Sequence, residues 1–556
     1  PASSQALDFL GHWIHADKPG GLMAQLRQQQ LITGLKAAVL YQFKGQALLQ
    51  IEFSAAAEIT QDATQINEMF YDWLAFFSAQ QDWPALREEF HLLQQRQMDV
   101  CGAMELARLD CEQREVQLSD QAVAALKAML AQMQPGPIFT RLHAWQLPTP
   151  NPFLLAPKEP VSAGLIRGQT SAHRGLRTFA QDRLRSRRDL SAMSFSTAVP
   201  AHNGEAAIYL RWRLRAIPAE GVLPLLETGL RSLQQDARQA GVELSFSACA
   251  NDWLLKLHGF HMPMPAILEH ALRVLGTPPT VPLSSPPRAP SLMPIRQLLK
   301  RLPEVCQTRS EYAVGDLEQC WATAQWDGLA VGLPAATQSL ITPVLAKVPG
   351  TPDARLTQSL EPAGRHLWHT EPCDSSEQAL LLFCPAPMGN LADEAVWRLL
   401  AHIAQTPFYQ RLRGELQLGY AVFSGLRQIN GQTGLLFGVQ SPHASTAEIH
   451  GHIQSFLDDL PKLVSALDET SFTQARDTLA RQFSSESLGV SQAAELLWQA
   501  RLAGHPSDYL TGLYAALIAL EQDTTLKAAQ QINQADSARV CLATHAATEA
   551  FYQGRS

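Results

Sequence analysis

A chain of 556 residues is longer than one hydrophobic core usually organises, so three or four domains are expected. Hydrophobic residues at 46% against charged ones at 17% exclude a disordered chain or a coiled coil and describe a well-buried globular protein. A net charge of -8 without a dense Lys/Arg run excludes a nucleic-acid partner, and no run nears the roughly 18 to 20 apolar residues of a membrane-spanning helix.

The chain enters a helical pattern almost at once, at Ala6-Leu7-Asp8-Phe9-Leu10-Gly11-His12-Trp13-Ile14, and begins on Pro1 rather than Met, which reads as a start inside a domain. Leu26-Arg27 closes a second helical segment. A β-prone run follows, Gly45-Gln46 begins another strand, and amphipathic helices are predicted over 66–77 and 86–97. Seven prolines between 134 and 160 break all periodicity and mark an extended linker over 134–165. Beyond it, a helix over 225–240 stops at Gly241, strands over 242–248 and 253–259 form a hairpin, and a helix covers 265–275. A second Pro-rich stretch, 277–290, reads as a loop within a domain.

The last third repeats the first. Leu412-Arg413 closes a helix, a β-prone run follows, and Gly431-Gln432 stands 18 residues after Arg413, as Gly45-Gln46 does after Arg27. Helices over 449–460 and 472–483 complete this copy. The segment 225–274 is a weaker third copy. Three copies of helix, hairpin and helix predict an α+β fold of repeated homologous domains, each a mostly antiparallel sheet covered by helices on one face. The expected units are 1–150, 166–345 and 346–556.

Eight cysteines are widely spaced, with no C-x-x-C, and read as free thiols of a reducing compartment, hence a cytoplasmic location. Three histidine pairs stand at i, i+3: His12/His15, His258/His261 and His366/His369. The last is the richest, since His366, His369 and Glu371 could share a metal. It is expected to precede a strand, where the side chains need not converge.

The stretch Leu412-Arg413-Gly414-Glu415-Leu416-Gln417-Leu418-Gly419-Tyr420-Ala421-Val422-Phe423-Ser424-Gly425 resembles the fourth-domain signature L-R-x-x-x-Q-L-G-Y-x-V-x-S-G of the pitrilysin/insulinase zinc peptidases. His15-Ala16-Asp17-Lys18-Pro19-Gly20-Gly21-Leu22 with Leu26-Arg27 resembles the second-domain pattern H-E-G-P-G-S-L-x-x-x-L-R, from which Ala16 and Asp17 depart. Asn151-Pro152-Phe153 resembles the junction between the family's halves, and 472–498 its last long helices. Within the family, the Pro-Gly-Gly-Leu turn and Val39-Leu40-Tyr41 are most similar to the branch that trims the precursor peptide of pyrroloquinoline quinone.

The resemblance implies a clamshell of four homologous domains around a chamber, of which the second, third and fourth are present here. The family's zinc and its general-base Glu lie in a His-x-x-Glu-His motif of the first domain. No such motif occurs in this chain, so no zinc ligand is expected in it and by itself it is expected not to cleave peptides. In the family, the counterparts of Arg413 and Tyr420 hold the substrate main chain and its carbonyl oxygen near the scissile bond. The repeat bears on this, because the position seven after Arg27 is Gly34, so the fold does not demand a Tyr at that junction, whereas the Arg recurs. Arg411 and Glu415 are expected to be solvated. The implied partners are a small unstructured peptide and a zinc-bearing domain or partner subunit, and a homodimer is compatible with the family. A second reading, a noncatalytic peptide-binding subunit of a two-subunit peptidase, fits the same sequence.

Overall fold

The computed structural model describes residues 2–43, 46–55, 62–80, 82–111, 117–133, 144–155, 192–199, 204–249, 251–278, 293–307, 313–353, 366–387, 389–484, 487–534 and 537–546. Most of the linker read over 134–165, the Pro-rich stretch from 279 onward and Gly45 of the repeat lie outside the described residues.

Helix Ala2–Ile14 buries Ala6, Leu7, Phe9, Leu10, Trp13 and Ile14, the three-and-four spacing of one helical face. That face meets an aromatic cluster in which Phe9 stands edge-on to Trp83 and Phe90, while Trp73, Phe77 and Trp83 stack in series. Helix Leu22–Gln28 leads into strand Ile32–Phe43, which pairs antiparallel with Gln46–Ala55. Helices Asp62–Ser78, Pro84–Val100 and Asp120–Met133 close this N-terminal layer.

The middle sheet runs Thr351–Pro352, Gln325–Val331, Glu205–Arg213, Asp252–Phe260, Val242–Cys249, with Met193–Ser196 sharing the outer edge of Gln325–Val331. Its central pairs are antiparallel. Helices Val222–Gln239 and Met264–Gly276 pack on it through Leu226, Leu230, Leu233, Ile267, Leu268 and Leu272. Gly241, at φ +83°, turns the chain from helix to hairpin in a conformation that favours glycine.

The last sheet has the order His366–Thr370, Arg539–Ala543, Gln378–Pro385, Gln432–Ser441, Ala421–Ile429. Strand Gln378–Pro385 is buried along nearly its whole length because both its faces are covered. Leu380, Leu382 and Cys384 face the cluster formed with helices Leu391–Tyr409 and Thr446–Ser465, and Ala379, Leu381 and Phe383 face helix Pro294–Val305 through Ile295, Leu298 and Leu302. Asn390 caps Leu391–Tyr409, and a reciprocal Ser445/Glu448 pair caps Thr446–Ser465.

The layers meet differently at their two joints. Between the middle and last layers the core is continuous: Ala207, Tyr209, Leu329 and Val331 share a buried cluster with Leu497 and Trp498 of helix Val490–Ala503. Tyr209 stacks on Trp498 at 5.3 Å and donates to Glu495 at 3.1 Å, and Lys256 donates to the same carboxylate at 2.9 Å. Beside them Arg211 grips Asp327 through two hydrogen bonds of 2.9 Å, with Arg501 at 3.6 Å.

The N-terminal and middle layers meet through Leu92 and Leu93, which reach the middle core, and otherwise through polar groups. Lys18 pairs with Asp236 at 2.6 Å, and Gln235 accepts from the Asp17 amide. Asn151 is buried between them. Its backbone amide donates to Glu89, its side-chain amide donates to the Asp236 carbonyl and to Gln239, and its side-chain oxygen accepts from Phe153. The Asn151-Pro152-Phe153 motif thus pins the chain where it passes from one layer to the next.

Candidate active site

The junction at Leu412 to Ala421 is built by an irregular helix end. Helix Leu391–Tyr409 continues as a wider π turn over Gln410–Glu415, with the Leu416 amide donating to the Arg411 carbonyl at 3.0 Å. Buried Leu412 and Leu418 anchor the turn in the core, and Gln417, at φ +51°, reverses the chain. Arg413 is left at the surface. Its Nη1 donates to the Tyr420 carbonyl at 2.8 Å, and its guanidinium lies 5.3 Å from the Tyr409 ring centre. One cation therefore ties the helix end to the entry of strand Ala421–Ile429.

Gly419 is required by contact: a Cβ there would collide with the Gln440 carbonyl oxygen. The close approach brings Tyr420 onto the sheet edge, where it is 52% exposed and its Oη accepts from Gln440 Nε2 at 3.3 Å. Arg413 and Tyr420 thus project from one junction. Gln440 and Glu377, which lie behind Tyr420, were not among the expected site residues. The only signal was a polar Gln-Ser pair closing the apolar run of strand Gln432–Ser441.

Arg411 is not merely solvated. It donates to Asp459 at 2.9 Å and to Ser455 at 2.8 Å, fastening the π turn to helix Thr446–Ser465, because the wider turn swings it toward that neighbour. Lys462 and Arg411 together hold the Asp459 carboxyl below its usual range. Glu415 is exposed.

The histidine pairs do not form sites. His366 and His369 lie within edge strand His366–Thr370 rather than before it, and at odd separation they point to opposite faces. His366 Nε2 lies 3.1 Å from the Ser537 carbonyl, and Glu371 pairs with Arg301 at 3.3 Å. His15 has both ring nitrogens engaged, one with the Gly11 carbonyl and one with the Ala37 amide. His261 bonds Thr337 at 2.9 Å. Among the described residues no three His, Cys, Asp or Glu side chains gather to hold a metal ion, and no helix is long and apolar enough to cross a membrane.

Helix-covered, mostly antiparallel sheets repeated along one chain define a pitrilysin-type peptidase fold: the crystal structure of pitrilysin superimposes with a TM-score of 0.63 at 15% identity, covering 99% of this chain and 67% of that one. Residues 205–330 match the family described as PQQ synthase PqqF, C-terminal lobe domain 3, and residues 399–498 that described as PQQ synthase PqqF-like, C-terminal lobe domain 4. Coenzyme PQQ synthesis protein F of Pseudomonas protegens is 50% identical over 539 residues, 96% of this chain and 65% of the relative. The protein of the same name from Pseudomonas putida is 31% identical, over 100% of this chain and 68% of the relative. The chain belongs to the pitrilysin family, in its PqqF branch. It spans 65% of the length of the Pseudomonas protegens relative.

Proposed function

We propose that this chain is the three-domain portion, over 1–150, 166–345 and 346–556, of a cytoplasmic zinc metalloendopeptidase that cleaves a small unstructured peptide, the pyrroloquinoline quinone precursor. The metal and the general base are assigned to a zinc-bearing domain or partner subunit, because the family's His-x-x-Glu-His motif does not occur in this sequence. This chain supplies chamber walls and the substrate contacts. The observation that carries the reading is the Arg413/Tyr420 junction, with a half-exposed phenol and a surface guanidinium presented together from a rigid helix-to-strand turn. Hydrolysis of a peptide bond builds negative charge on the carbonyl oxygen, and donors fixed beforehand stabilise that charge without reorganising. Tyr420 donates its hydroxyl hydrogen to that oxygen. Arg413, with one donor spent on the Tyr420 carbonyl, keeps the others for the substrate main chain.

Tyr420→Phe in the intact, zinc-loaded enzyme tests this. The change removes one hydroxyl and leaves the ring, so kcat/KM should fall by roughly 10²-fold, about 2.7 kcal/mol, with Tm nearly unmoved. Gly34→Tyr is the control. A Cβ at Gly34 would meet nothing nearer than 3.8 Å, so the branch point itself is tolerated, and turnover should not change. Near-normal turnover of Tyr420→Phe with a lowered Tm would overturn the assignment.

A further inference from the structure

We infer that Gln440 is a positioning residue that aims the Tyr420 hydroxyl outward, an inference that rests on the reading of Tyr420 as a substrate contact. Gln440 lies at the end of strand Gln432–Ser441, paired with Ala421 on one side and Ala379 on the other, and is 1% exposed. Its amide has only one orientation that satisfies its neighbours. The Ile295 backbone amide, which can only donate, reaches Oε1 at 3.0 Å, so the oxygen must lie on that side and Nε2 on the other. Nε2 there meets the Glu377 carboxylate, which can only accept, and Tyr420 Oη at 3.3 Å.

The consequence falls on the phenol. A tyrosine oxygen carries one hydrogen and lone pairs that accept. With Gln440 donating to a lone pair, the hydrogen must leave Oη in another direction, and the open direction is the solvent-facing side where a substrate carbonyl would lie. Donation into Oη also polarises the O–H bond and strengthens it as a donor. The same residue sets the backbone, since its carbonyl occupies the place a side chain at Gly419 would take. Gln440 therefore registers Tyr420 at both ends. Ile295, from helix Pro294–Val305, fixes the amide in turn.

The test is a mutant cycle in the intact, zinc-loaded protein, read with an internally quenched peptide. Gln440→Glu puts a carboxyl between Tyr420 and Glu377 that, once ionised, can only accept and turns the phenol hydrogen inward. It should lower kcat by roughly 10- to 100-fold with KM within about 2-fold. Added to Tyr420→Phe, it should cost less than about 2-fold more, because no hydroxyl remains to be aimed. The new carboxylate also faces Glu377, and two carboxylates in contact tend to share a proton, so the loss should be full only at high pH, where both are ionised, and should shrink relative to the unmutated enzyme as pH falls and the acid at position 440 donates again. Gln440→Asn keeps the amide but withdraws it by one methylene, and should show the same lack of additivity if the Glu variant folds poorly. If the double variant loses the product of the two single losses, Gln440 does not act through Tyr420 and the inference fails while the role of Tyr420 stands. A Tyr420→Phe single variant with near-normal turnover overturns both.

Discussion

Arg27 and Arg413 make the same crossing in two copies of the repeat. Arg27 Nη2 donates to the Thr33 carbonyl at 3.2 Å, six residues on, and Arg413 Nη1 to the Tyr420 carbonyl at 2.8 Å, seven residues on. The bridge from helix end to strand entry is thus common to both repeats and explains why the Arg recurs, while the Tyr does not. Another single residue sets part of the response to acid. His12 lies between Trp13, at 4.6 Å, and Phe90, at 6.0 Å, with its Nε2 buried and lacking a hydrogen-bond partner among the described residues. Burial first, then the charges of His15 and Lys18, pull its pKa down to about 4. The unfolded chain binds the proton near pH 6.5, so stability is full above that value and is lost as pH falls toward about 4, by about 3 kcal/mol. His12→Phe should keep the ring contacts and flatten the Tm slope between those values. His450, lowered to about 4 by burial, Arg539 and His366, leaves a residual slope in the same window. An unchanged slope in His12→Phe would contradict this account.

At the scale of elements, the buried charges at the second joint are the most consequential. Asp327 is fully buried, and Arg211 supplies both of its close hydrogen bonds, with Arg501 more distant. Arg211→Met should leave that carboxylate underpaired and cost about 3 to 5 kcal/mol in denaturant unfolding. A loss below about 1 kcal/mol would show that Arg501 alone suffices. Much of the element layout was legible in sequence: the expected helix over 225–240 is Val222–Gln239, and the hairpin strands over 242–248 and 253–259 are Val242–Cys249 and Asp252–Phe260. These elements are set by local signals, a glycine stop and two short apolar alternations. What escaped was non-local. His366–Thr370 becomes a strand only because Arg539–Ala543 lies beside it in parallel, and no pattern within five residues announces a partner so far along the chain. Gln440 escaped likewise, since its value lies in Ile295, Glu377 and Tyr420 converging from three other segments.

Across the whole molecule the two joints differ in material. The second is a continuous apolar core reinforced at Glu495, whose charge burial opposes but Lys256, Gln499 and Tyr209 preserve. The first has only a thin apolar seam, Leu92 and Leu93 against the middle core, and rests otherwise on Lys18, Asp236, Asn151 and Gln239, polar contacts that can be exchanged for water at small net cost. Opening should therefore occur at the first joint, and small-angle scattering of the intact protein should show its radius of gyration fall when a noncleavable peptide binds. An unchanged profile with peptide bound would count against a moving clamshell. The last sheet carries a different consequence. Strand Arg539–Ala543 is interior to it, between His366–Thr370 and Gln378–Pro385, both of which leave the ribosome long before it. At about 5 to 20 residues per second of synthesis, the gap left for that strand stays open for on the order of ten seconds or more. During that time Gln378–Pro385 presents an unpaired apolar edge, so the nascent chain is most exposed to aggregation, and most in need of a chaperone, just before Arg539–Ala543 emerges.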